Sequence, residues 1–466
     1  MEAALMLPSL LVSLLYGGGD APAFLLSIGI TALCGALPGF LLKPKRADLT
    51  PRDGMVVAGL SWAIFSFFGC LPFVFSGAIS HFADAYFETV SGFTTTGASI
   101  LTEIESLPRG ILFWRSFTHW IGGMGVLIFT LALLPRLSGR SAHLARAESP
   151  GPTFTKLLPR MSDTAKILYI LYLALSLIMF LVLLLCGMNA YDALIHTFGT
   201  AGTGGFSNYN ASVGAFQSPL IEWVIALFML LFGINFAVYF HLIRKDVRQA
   251  AKNEELWAYL IIVLLGTLGV TLSILPSYGH FFTALRYGFF HVSSIISTTG
   301  FSAADFNLWP VFAKGILVLL MFIGACAGST AGGFKVSRIV MLVKSGFRDV
   351  RHTLQPRKVA VVRMDGKPVQ EGTLSTLGVY LFLYICIMIL GALIVSLEAP
   401  DFATSFTASL TCLSNVGPGL NAVGPANNFA FFSPLIKWSL SFLMLAGRLE
   451  IYPILALFSI SVWKKN

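Results

Sequence analysis

Charged residues are scarce in this chain. They make up 11% of its 466 residues, whereas 56% are hydrophobic and the mean hydropathy is +0.79. Soluble domains carry about 25% charged residues, so water is not the main solvent of this molecule. The composition excludes an ordinary soluble domain and predicts a membrane protein.

Catalytic and metal-binding signatures are also absent from the sequence. It contains no nucleophile elbow, paired-carboxylate site or zinc signature, and its six cysteines lie in apolar stretches without C-x-x-C spacing. His119, His196 and His291 have no carboxylate or cysteine partners at metal-ligand spacing, and we interpret them as hydrogen-bonded packing residues. We therefore predict no enzyme and no transition-metal site.

Long apolar runs dominate the chain instead. The runs that are long enough to cross the hydrocarbon core, about 20 residues each, are 22–42, 55–79, 110–134, 165–188, 220–243, 257–276, 309–345, 374–397 and 433–462. The first sixteen residues resemble a secretory signal in apolar length, but Glu2 stands where a basic residue is expected. We interpret this segment as one more, retained helix.

The net charge of +9 is distributed unevenly between the connectors. Basic residues cluster in connectors that the positive-inside rule assigns to the cytoplasm. They are Lys43, Lys45, Arg46 and Arg52; Arg136, Arg140, Arg146, Lys156 and Arg160; Arg244, Lys245, Arg248 and Lys252; those from Lys335 to Lys367; and Lys464 and Lys465. Because these charges flank apolar runs, we expect no nucleic-acid partner.

The opposite connectors are acidic. They carry Asp84, Glu88, Glu103, Glu105, Asp192, Asp305, Glu398 and Asp401. These residues either enrich cations at an extracytoplasmic mouth or are ordinary interfacial polar groups, and the sequence leaves both interpretations open.

Four glycine-bearing segments recur between the apolar runs. They are TTTGAS at 94–99, GTGGFS at 202–207, STTGFS at 297–302 and SNVGPG at 414–419, and they align on Gly97, Gly205, Gly300 and Gly417. Irregular backbone survives at membrane depth only where protein or a water-filled cavity satisfies it. One such segment is compatible with a packing glycine, but four aligned copies predict a shared central pore.

The chemistry of these segments follows from what they lack. None contains Asp, Glu, Lys, Arg, His or Cys, so backbone carbonyl and hydroxyl oxygens remain as ligands. Such oxygens suit a weakly hydrated monovalent cation. A glycine at the shared position permits the positive φ that lets successive carbonyls turn toward one axis.

An internal repeat organises the chain, each unit running apolar span, short segment, glycine loop, second span. The predicted boundaries are 1–54 for a leading pair of transmembrane helices, 55–137 for repeat 1, 138–164 for a cytoplasmic linker, 165–244 for repeat 2, 256–345 for repeat 3, 346–370 for a second cytoplasmic linker and 371–466 for repeat 4. The short segments, Phe82–Phe93, 191–199, Phe281–Ile296 and 402–413, are predicted to be descending pore helices. Asp84 and Asp192 lie thirteen positions before their glycines and are predicted N-caps, while Thr404 and Tyr287 take that position in the other units.

Two further features interrupt the apolar runs. Residues 324–335, GACAGSTAGGFK, are rich in small residues, which predicts either a non-helical stretch in mid-membrane or close helix packing. Arg448 lies in the apolar run 438–457, where a charge is costly. This charge is either functional or a structural group bonded to Glu450 or to loop carbonyls.

Taken together, the four loops, the leading spans, SFTHWIGGMGVLIFTLALLP at 116–135 and ESPGPTFTKLLPRMSDTAK at 148–166 resemble the TrkH branch of the bacterial Trk/Ktr and plant HKT potassium-transporter superfamily. The resemblance covers nearly the whole chain. It implies an all-α polytopic protein of the bacterial inner membrane, with four M1–P–M2 repeats around one potassium pore after two extra transmembrane helices. It also implies a homodimer and a cytoplasmic nucleotide-binding ring, TrkA, as regulator, with K⁺ as the bound and transported ion and no covalent cofactor.

The resemblance assigns roles to particular residues. The implied filter residues are Thr95, Thr96, Gly97, Thr203, Gly204, Gly205, Thr298, Thr299, Gly300, Asn415, Val416 and Gly417. The implied gate residues are Gly324, Gly328, Gly332, Gly333, Lys335 and Arg448. The resemblance implies that 324–335 form an intramembrane loop that obstructs the pore, and that Arg448 is an electrostatic barrier in the cavity beneath the filter. Departures from fourfold sameness at Gly204, Val416 and Pro418 predict selectivity less strict than that of a symmetric potassium channel.

Two alternatives complete the sequence interpretation. In a secondary transporter with broken helices, 324–333 would form the substrate site, but four similarly ordered units favour a pore. The basic connector 346–371, with a tight turn predicted at Asp365–Gly366, is either the docking surface for the regulator or a solvated linker.

Overall fold

The structure is a computed structural model that describes residues 1–41, 51–125, 161–357 and 360–463. Nearly all regular structure in these ranges is helical. The sheet within them is a two-stranded antiparallel hairpin of β1 (Arg363–Met364) and β2 (Lys367–Pro368). Asp365 and Gly366 form its turn with φ values of 50° and 77°, as the Asp-Gly pair predicts.

The helices are numbered here in chain order. They are α1 (Glu2–Leu5), α2 (Leu7–Tyr16), α3 (Ala21–Leu41), α4 (Pro51–Gly69), α5 (Leu71–Phe75), α6 (Phe82–Phe93), α7 (Arg109–Gly123), α8 (Met161–Leu185), α9 (Ala190–Ala201), α10 (Pro219–Gly233), α11 (Phe236–Ile243), α12 (Val247–Ala251), α13 (Glu254–Tyr278), α14 (Phe281–Ile296), α15 (Val311–Phe322), α16 (Val336–Leu354), α17 (Glu371–Val395), α18 (Phe402–Ser414), α19 (Pro434–Arg448), α20 (Tyr452–Phe458) and α21 (Ile460–Trp463). Short 3₁₀ turns occupy Ser212–Phe216, Phe306–Leu308 and Asn421–Val423.

Five helical segments in the described residues are long and apolar enough to cross a membrane. They are Ala21–Pro38, Arg52–Phe75, Asp163–Leu185, Glu254–Tyr278 and Glu371–Val395. A helix of 25 residues rises about 38 Å, which exceeds the hydrocarbon thickness of about 30 Å. Leu264, Leu268 and Leu272 of α13 are exposed, as expected of side chains that face lipid.

Four units with the same order of elements form the centre of the molecule. Each has a long helix (α4, α8, α13, α17), a short helix (α6, α9, α14, α18), a glycine loop and a second helix (α7, α10, α15, α19). Every short helix packs against the long helix of its own unit and the second helix of the preceding unit. Because α19 of the last unit packs against α6 of the first, the four units close into a ring.

The second helices are interrupted. The apolar runs 220–243 and 433–462 were each predicted to be one span, but the structure divides both. Helices α10 and α11 are bent by 90° at a break where the Asn235 side chain caps α11. Glu450 and Ile451, with φ values of 56° and 66°, end α19 before α20 begins. Both sides of each break are apolar, so the hydropathy of the sequence did not reveal the break.

The first two helices are short. Together α1 and α2 span Glu2–Tyr16, about 22 Å of helix, which is less than the hydrocarbon thickness. The first member of the predicted leading pair is thus an apolar helix shorter than a full span. The predicted unit boundaries remain predictions. Of the predicted linker 138–164, only residues 161–164 are among the described residues. Lys43, Lys45 and Arg136 also lie outside the described residues.

Candidate functional site

The short helices all end in the same way. The residue two positions before each shared glycine adopts the left-handed conformation, with φ of 55° at Thr95, 55° at Thr203, 56° at Thr298 and 55° at Asn415. Its amide bonds back to the last helical turn, and the amide of the next residue bonds to the carbonyl five positions earlier. These are the two bonds of a Schellman motif, so the backbone geometry is repeated fourfold.

Threonine is an unusual residue for this conformation. A β-branched side chain at positive φ is strained, because its Cβ crowds the backbone, and such strain costs about 1–3 kcal/mol per residue. Three of the four left-handed positions nevertheless hold threonine, and all four side chains are fully buried. Strain that is repeated at equivalent buried positions is typical of a functional site.

The shared glycines bring the loops together. Their φ values are 79° for Gly97, 79° for Gly205, 81° for Gly300 and 96° for Gly417. A Cβ atom at each glycine would overlap the carbonyl of the residue that precedes the glycine in the next loop. The pairs are Gly97 with Gly204, Gly205 with Thr299, Gly300 with Val416, and Gly417 with Thr96.

These four contacts run from the first loop to the second, third and fourth and back to the first. The twelve sequence-predicted filter residues therefore lie in one closed ring at the ends of the four short helices. The partial negative charges of the helix C-termini lie beside it. Neutral oxygen atoms and negative dipole ends suit a cation whose hydration shell is weak.

Side-chain hydrogen bonds within and between the loops stabilise the ring. Thr94 and Thr96 share a hydroxyl–hydroxyl bond of 2.8 Å, and Ser297 and Thr299 share an equivalent bond of 2.7 Å. The Asn415 amide donates to the Thr96 hydroxyl at 2.9 Å and so connects the fourth loop with the first.

The segments after the glycines are held by residues for which the sequence did not predict this role. Glu88, His196 and His291 each lie nine positions before their shared glycine. Glu88 accepts from Ser99 and the Ile100 amide at 2.9 Å, and His196 bonds Ser207 at 3.1 Å. His291 lies 3.0 Å from the Ala304 carbonyl oxygen. The histidines are hydrogen-bonded, as predicted. Aligning the four segments on their glycines could have shown that Glu88, His196 and His291 occupy equivalent positions.

A buried ion pair within the first unit also contacts the second unit. The Arg115 guanidinium lies 2.6 Å from Glu88, and both side chains are almost fully buried. Arg115 also donates to the Ser207 carbonyl at 2.8 Å and stacks over the Phe206 ring, 3.6 Å from its centroid. It therefore binds the outer parts of the first and second loops to each other.

Asp84, Glu88 and Asp192 were predicted in the outer connectors, but they lie inside α6 and α9, where they make structural contacts. Asp84 pairs with Lys437 at 2.7 Å, and Asp192 accepts from Asn189, Asn208 and Tyr209. These contacts favour the interpretation as interfacial polar groups at both sites. The predicted N-cap positions were wrong, because His81 and Asn189 are the N-caps and Asp84 and Asp192 lie in the first turn.

The third unit carries a non-helical stretch below the ring. Residues 323–335 separate α15 from α16, and we call them the intramembrane loop. Its two ends lie side by side, with the Gly324 amide donating to the Phe334 carbonyl at 3.1 Å. Gly324 also lies so close to Gly332 and Gly333 that a Cβ would overlap them, which explains why small residues occur here.

The intramembrane loop is attached to its neighbours through backbone groups. The Cys326 amide bonds the Gly233 carbonyl, and the Gly328 carbonyl accepts from Phe236, each at 3.1 Å, at the break between α10 and α11. Glu255, at the start of α13, accepts from the amides of Ala327 at 2.7 Å and Ser337 at 3.0 Å.

Two cations, the buried Lys335 and the half-buried Arg448, bind consecutive carbonyls of this loop. Arg448 donates to the Thr330 carbonyl at 2.8 Å and to the carbonyls of Gly122 and Gly123, at 2.5 Å and 2.7 Å. Lys335 donates to Ala331 and, at 3.0 Å, to Gly332. The structure thus brings the six sequence-predicted gate residues together, and Arg448 makes the bond to loop carbonyls that the sequence left open.

The fold and the site define a class: a polytopic α-helical membrane protein in which four backbone loops meet in one closed ring. Comparison with known proteins gives the family. The TrkH family, described as cation transport protein, matches residues 20–260 and 280–465, and this chain belongs to that family. The class is that of membrane transport proteins, not of enzymes.

Relatives match over nearly their full lengths. The Trk system potassium uptake protein TrkH of Salmonella typhimurium is 36% identical over 471 residues, which cover 100% of this chain and 96% of the relative. The protein of that name from Escherichia coli K12 is 35% identical, with 98% and 95% covered. The crystal structure of the potassium transporter TrkH from Vibrio parahaemolyticus superimposes with a TM-score of 0.88 at 32% identity, covering 99% of this chain and 96% of that one.

Proposed function

We propose that this protein takes up potassium across the bacterial inner membrane through one pore per chain. The observation that carries the proposal is the closed ring of four loops, in which neutral oxygens surround one axis. The relatives named for potassium uptake support potassium as the ion. Uptake is passive or driven by the membrane potential, because negative potential inside draws cations inward.

The ring is the proposed selectivity filter. Carbonyl and hydroxyl oxygens from the four loops replace the hydration shell of K⁺, and the strained left-handed residues fix the directions of these oxygens. Val416 and Pro418 make the fourth loop unlike the others. We therefore expect preference for K⁺ over Na⁺ without strict exclusion of Na⁺.

The intramembrane loop is the proposed gate. It lies directly against the ring, since a Cβ at Gly332 would be 2.5 Å from the Ser414 carbonyl oxygen and 2.8 Å from Asn415. Lys335 and Arg448 add two positive charges beside the loop. In this proposal a cation that leaves the filter inward meets both a steric obstruction and electrostatic repulsion, which supports the assignment of this loop as a closed gate.

Flux through purified protein tests the proposal directly. Protein reconstituted into liposomes should accumulate rubidium, as a tracer for K⁺, when a potential negative inside is imposed, and external K⁺ should compete more strongly than Na⁺. The gene should also restore growth at low potassium to a bacterium that lacks its own uptake systems. Absence of Rb⁺, K⁺ and Na⁺ flux from folded protein would reject a pore.

The proposed assembly is a homodimer with a cytoplasmic TrkA-type nucleotide-binding ring. The hairpin β1–β2 is the proposed docking element, because it lies in the basic connector and its Asp365 side chain accepts from the Glu254 amide at 2.8 Å, next to Glu255. This contact gives a docked partner a path to the intramembrane loop. Replacing the four residues 364–367 with Gly-Ser should abolish co-purification with the regulator, and retained binding would reject this docking site.

A further inference from the structure

One side-chain position of the ring differs between the loops in its bonding. Thr95, Thr203, Thr298 and Asn415 are equivalent in place, in φ and in burial. The Thr203 hydroxyl donates to the carbonyl of Gly202 at 2.6 Å, whereas the Thr95 hydroxyl has no hydrogen-bond partner among the described residues. The Thr298 hydroxyl accepts from the backbone amide of Gly332, in the intramembrane loop, at 2.8 Å.

The loop is oriented by this bond and by the two cations. The carbonyls of Thr330, Ala331 and Gly332 bind Arg448 or Lys335. The amide of Gly332 instead donates to the ring, at Thr298. An N–H donor that faces a cation path disfavours a cation there, because its hydrogen carries partial positive charge.

We propose that the Thr298 hydroxyl is a latch between the intramembrane loop and the ring, and that the Gly332 amide and a potassium ion compete for its oxygen. This inference rests on the proposed pore and adds a positioning residue to it. With the loop in place, the oxygen is engaged and the closed state is stabilised. When the loop leaves, the oxygen returns to the ion pathway.

Competition for one oxygen makes the coupling reciprocal. If the closed loop weakens K⁺ binding at the inner end of the ring, K⁺ at that end must loosen the loop by the same factor. Rising K⁺ therefore favours loop release even without a regulator. A loop that only blocks the path sterically, without a shared ligand, does not require Thr298 for this response.

Hydrogen exchange in the loop measures the latch without relying on flux. In purified protein, peptides covering residues 324–335 should exchange about fivefold faster in Thr298→Val than in the wild type, because one net hydrogen bond is lost. Thr95→Val is the matched control, since it removes an equivalent hydroxyl to which the loop is not bonded, and its loop exchange should equal that of the wild type. Thr298→Ser retains the hydroxyl and should retain slow exchange.

The effect of added potassium on loop exchange is a second test of the latch. Added K⁺ should accelerate loop exchange in the wild type and in Thr95→Val but have little effect in Thr298→Val. Equal exchange in Thr298→Val and Thr95→Val, or fast exchange in Thr298→Ser, would overturn the latch.

Flux separates the latch from the pore. Rubidium efflux from liposomes should be about fivefold faster through Thr298→Val than through Thr95→Val, because both lose a filter hydroxyl but only one loses the loop contact. Faster loop exchange in Thr298→Val with no flux in any variant would retain the latch and reject the proposed pore. Normal flux with unchanged loop exchange would retain the pore and reject the latch.

Discussion

The ring repeats one backbone arrangement four times, whereas the region beneath it differs from unit to unit. In the ring, four units contribute the same Schellman ending, a left-handed residue at the same position and the same contact from a glycine to the next loop. Below the ring, three of the second helices continue differently: α10 bends into α11, α15 gives way to the intramembrane loop, and α19 ends at Arg448.

This difference indicates a division of labour. A cation surrounded by oxygens needs ligands from all sides, which four equivalent loops supply. Obstruction requires only one moving part, so a single unit can carry it while its neighbours provide anchors. Substitutions in the ring should therefore impair conduction, whereas substitutions in the intramembrane loop and its anchors should release the obstruction.

The symmetric half should be most sensitive at its glycines. Gly205→Ala places a methyl group against the Thr299 carbonyl and forces alanine to a φ of 79°. Since displacing an aligned ligand by about 1 Å can cost about a hundredfold, we expect K⁺ uptake to fall by at least that factor. Gly378→Ala, where a Cβ meets no atom within 4 Å, is the control and should transport normally. Normal flux through Gly205→Ala would mean that the ring is not the conduction site.

The second prediction concerns the brace behind the ring. Arg115→Met leaves the buried Glu88 carboxylate without its ion-pair partner, which should reduce the free energy of unfolding by about 3–5 kcal/mol. Arg348→Met removes an exposed pair with Glu371 and should cost less than about 1 kcal/mol. Thermal unfolding in detergent compares the two variants. Similar losses would show that the Arg115 pair is no more important than a surface contact.

In the asymmetric half, Arg448 should dominate. Arg448→Gln removes the positive charge and weakens the bonds to Thr330, Gly122 and Gly123, so basal Rb⁺ flux without the regulator should rise about tenfold. Arg448→Lys keeps the charge and should leak less than Arg448→Gln. Equal leakage by both would assign the role to hydrogen bonding, and unchanged flux in folded Arg448→Gln would contradict a barrier.

The smallest effect is expected from crowding the loop against the ring. Gly332→Ala would place a methyl group 2.5 Å from the Ser414 carbonyl oxygen, so the loop must retreat and basal flux should rise severalfold. Gly315→Ala in α15 meets no atom within 4 Å and serves as its control. If basal flux through Gly332→Ala equals that of the wild type, the loop has remained closed and the added methyl group has been accommodated without displacing it.

Much of the outer half could be predicted from the sequence. The segments Phe82–Phe93 and Phe281–Ile296 are helices with the predicted bounds, because glycine loops and polar starts delimit them. The glycine alignment also predicted which residues meet in the ring. The helix N-caps were displaced by three positions, since an acidic residue is favourable in the first turn as well as at the cap.

The region beneath the ring, with its helix breaks and the intramembrane loop, was harder to predict from the sequence. Helix breaks at Asn235 and Glu450 lie within apolar runs, where hydropathy cannot distinguish one helix from two. The bond between Gly332 and Thr298 joins residues 34 positions apart and depends on the packing of several units. Likewise, Glu88 and His291 differ in chemistry, so only their shared distance from a glycine relates them.

The direction of the glycine contacts has a consequence for engineering. Each glycine meets the carbonyl of the following loop, so the cycle has a handedness and its two rotational senses are not equivalent. Bulk added at a glycine presses on the next loop in chain order, whereas bulk that shifts the carbonyl before the glycine presses on the preceding loop. Loops exchanged between homologues should therefore be transplanted together with their neighbours.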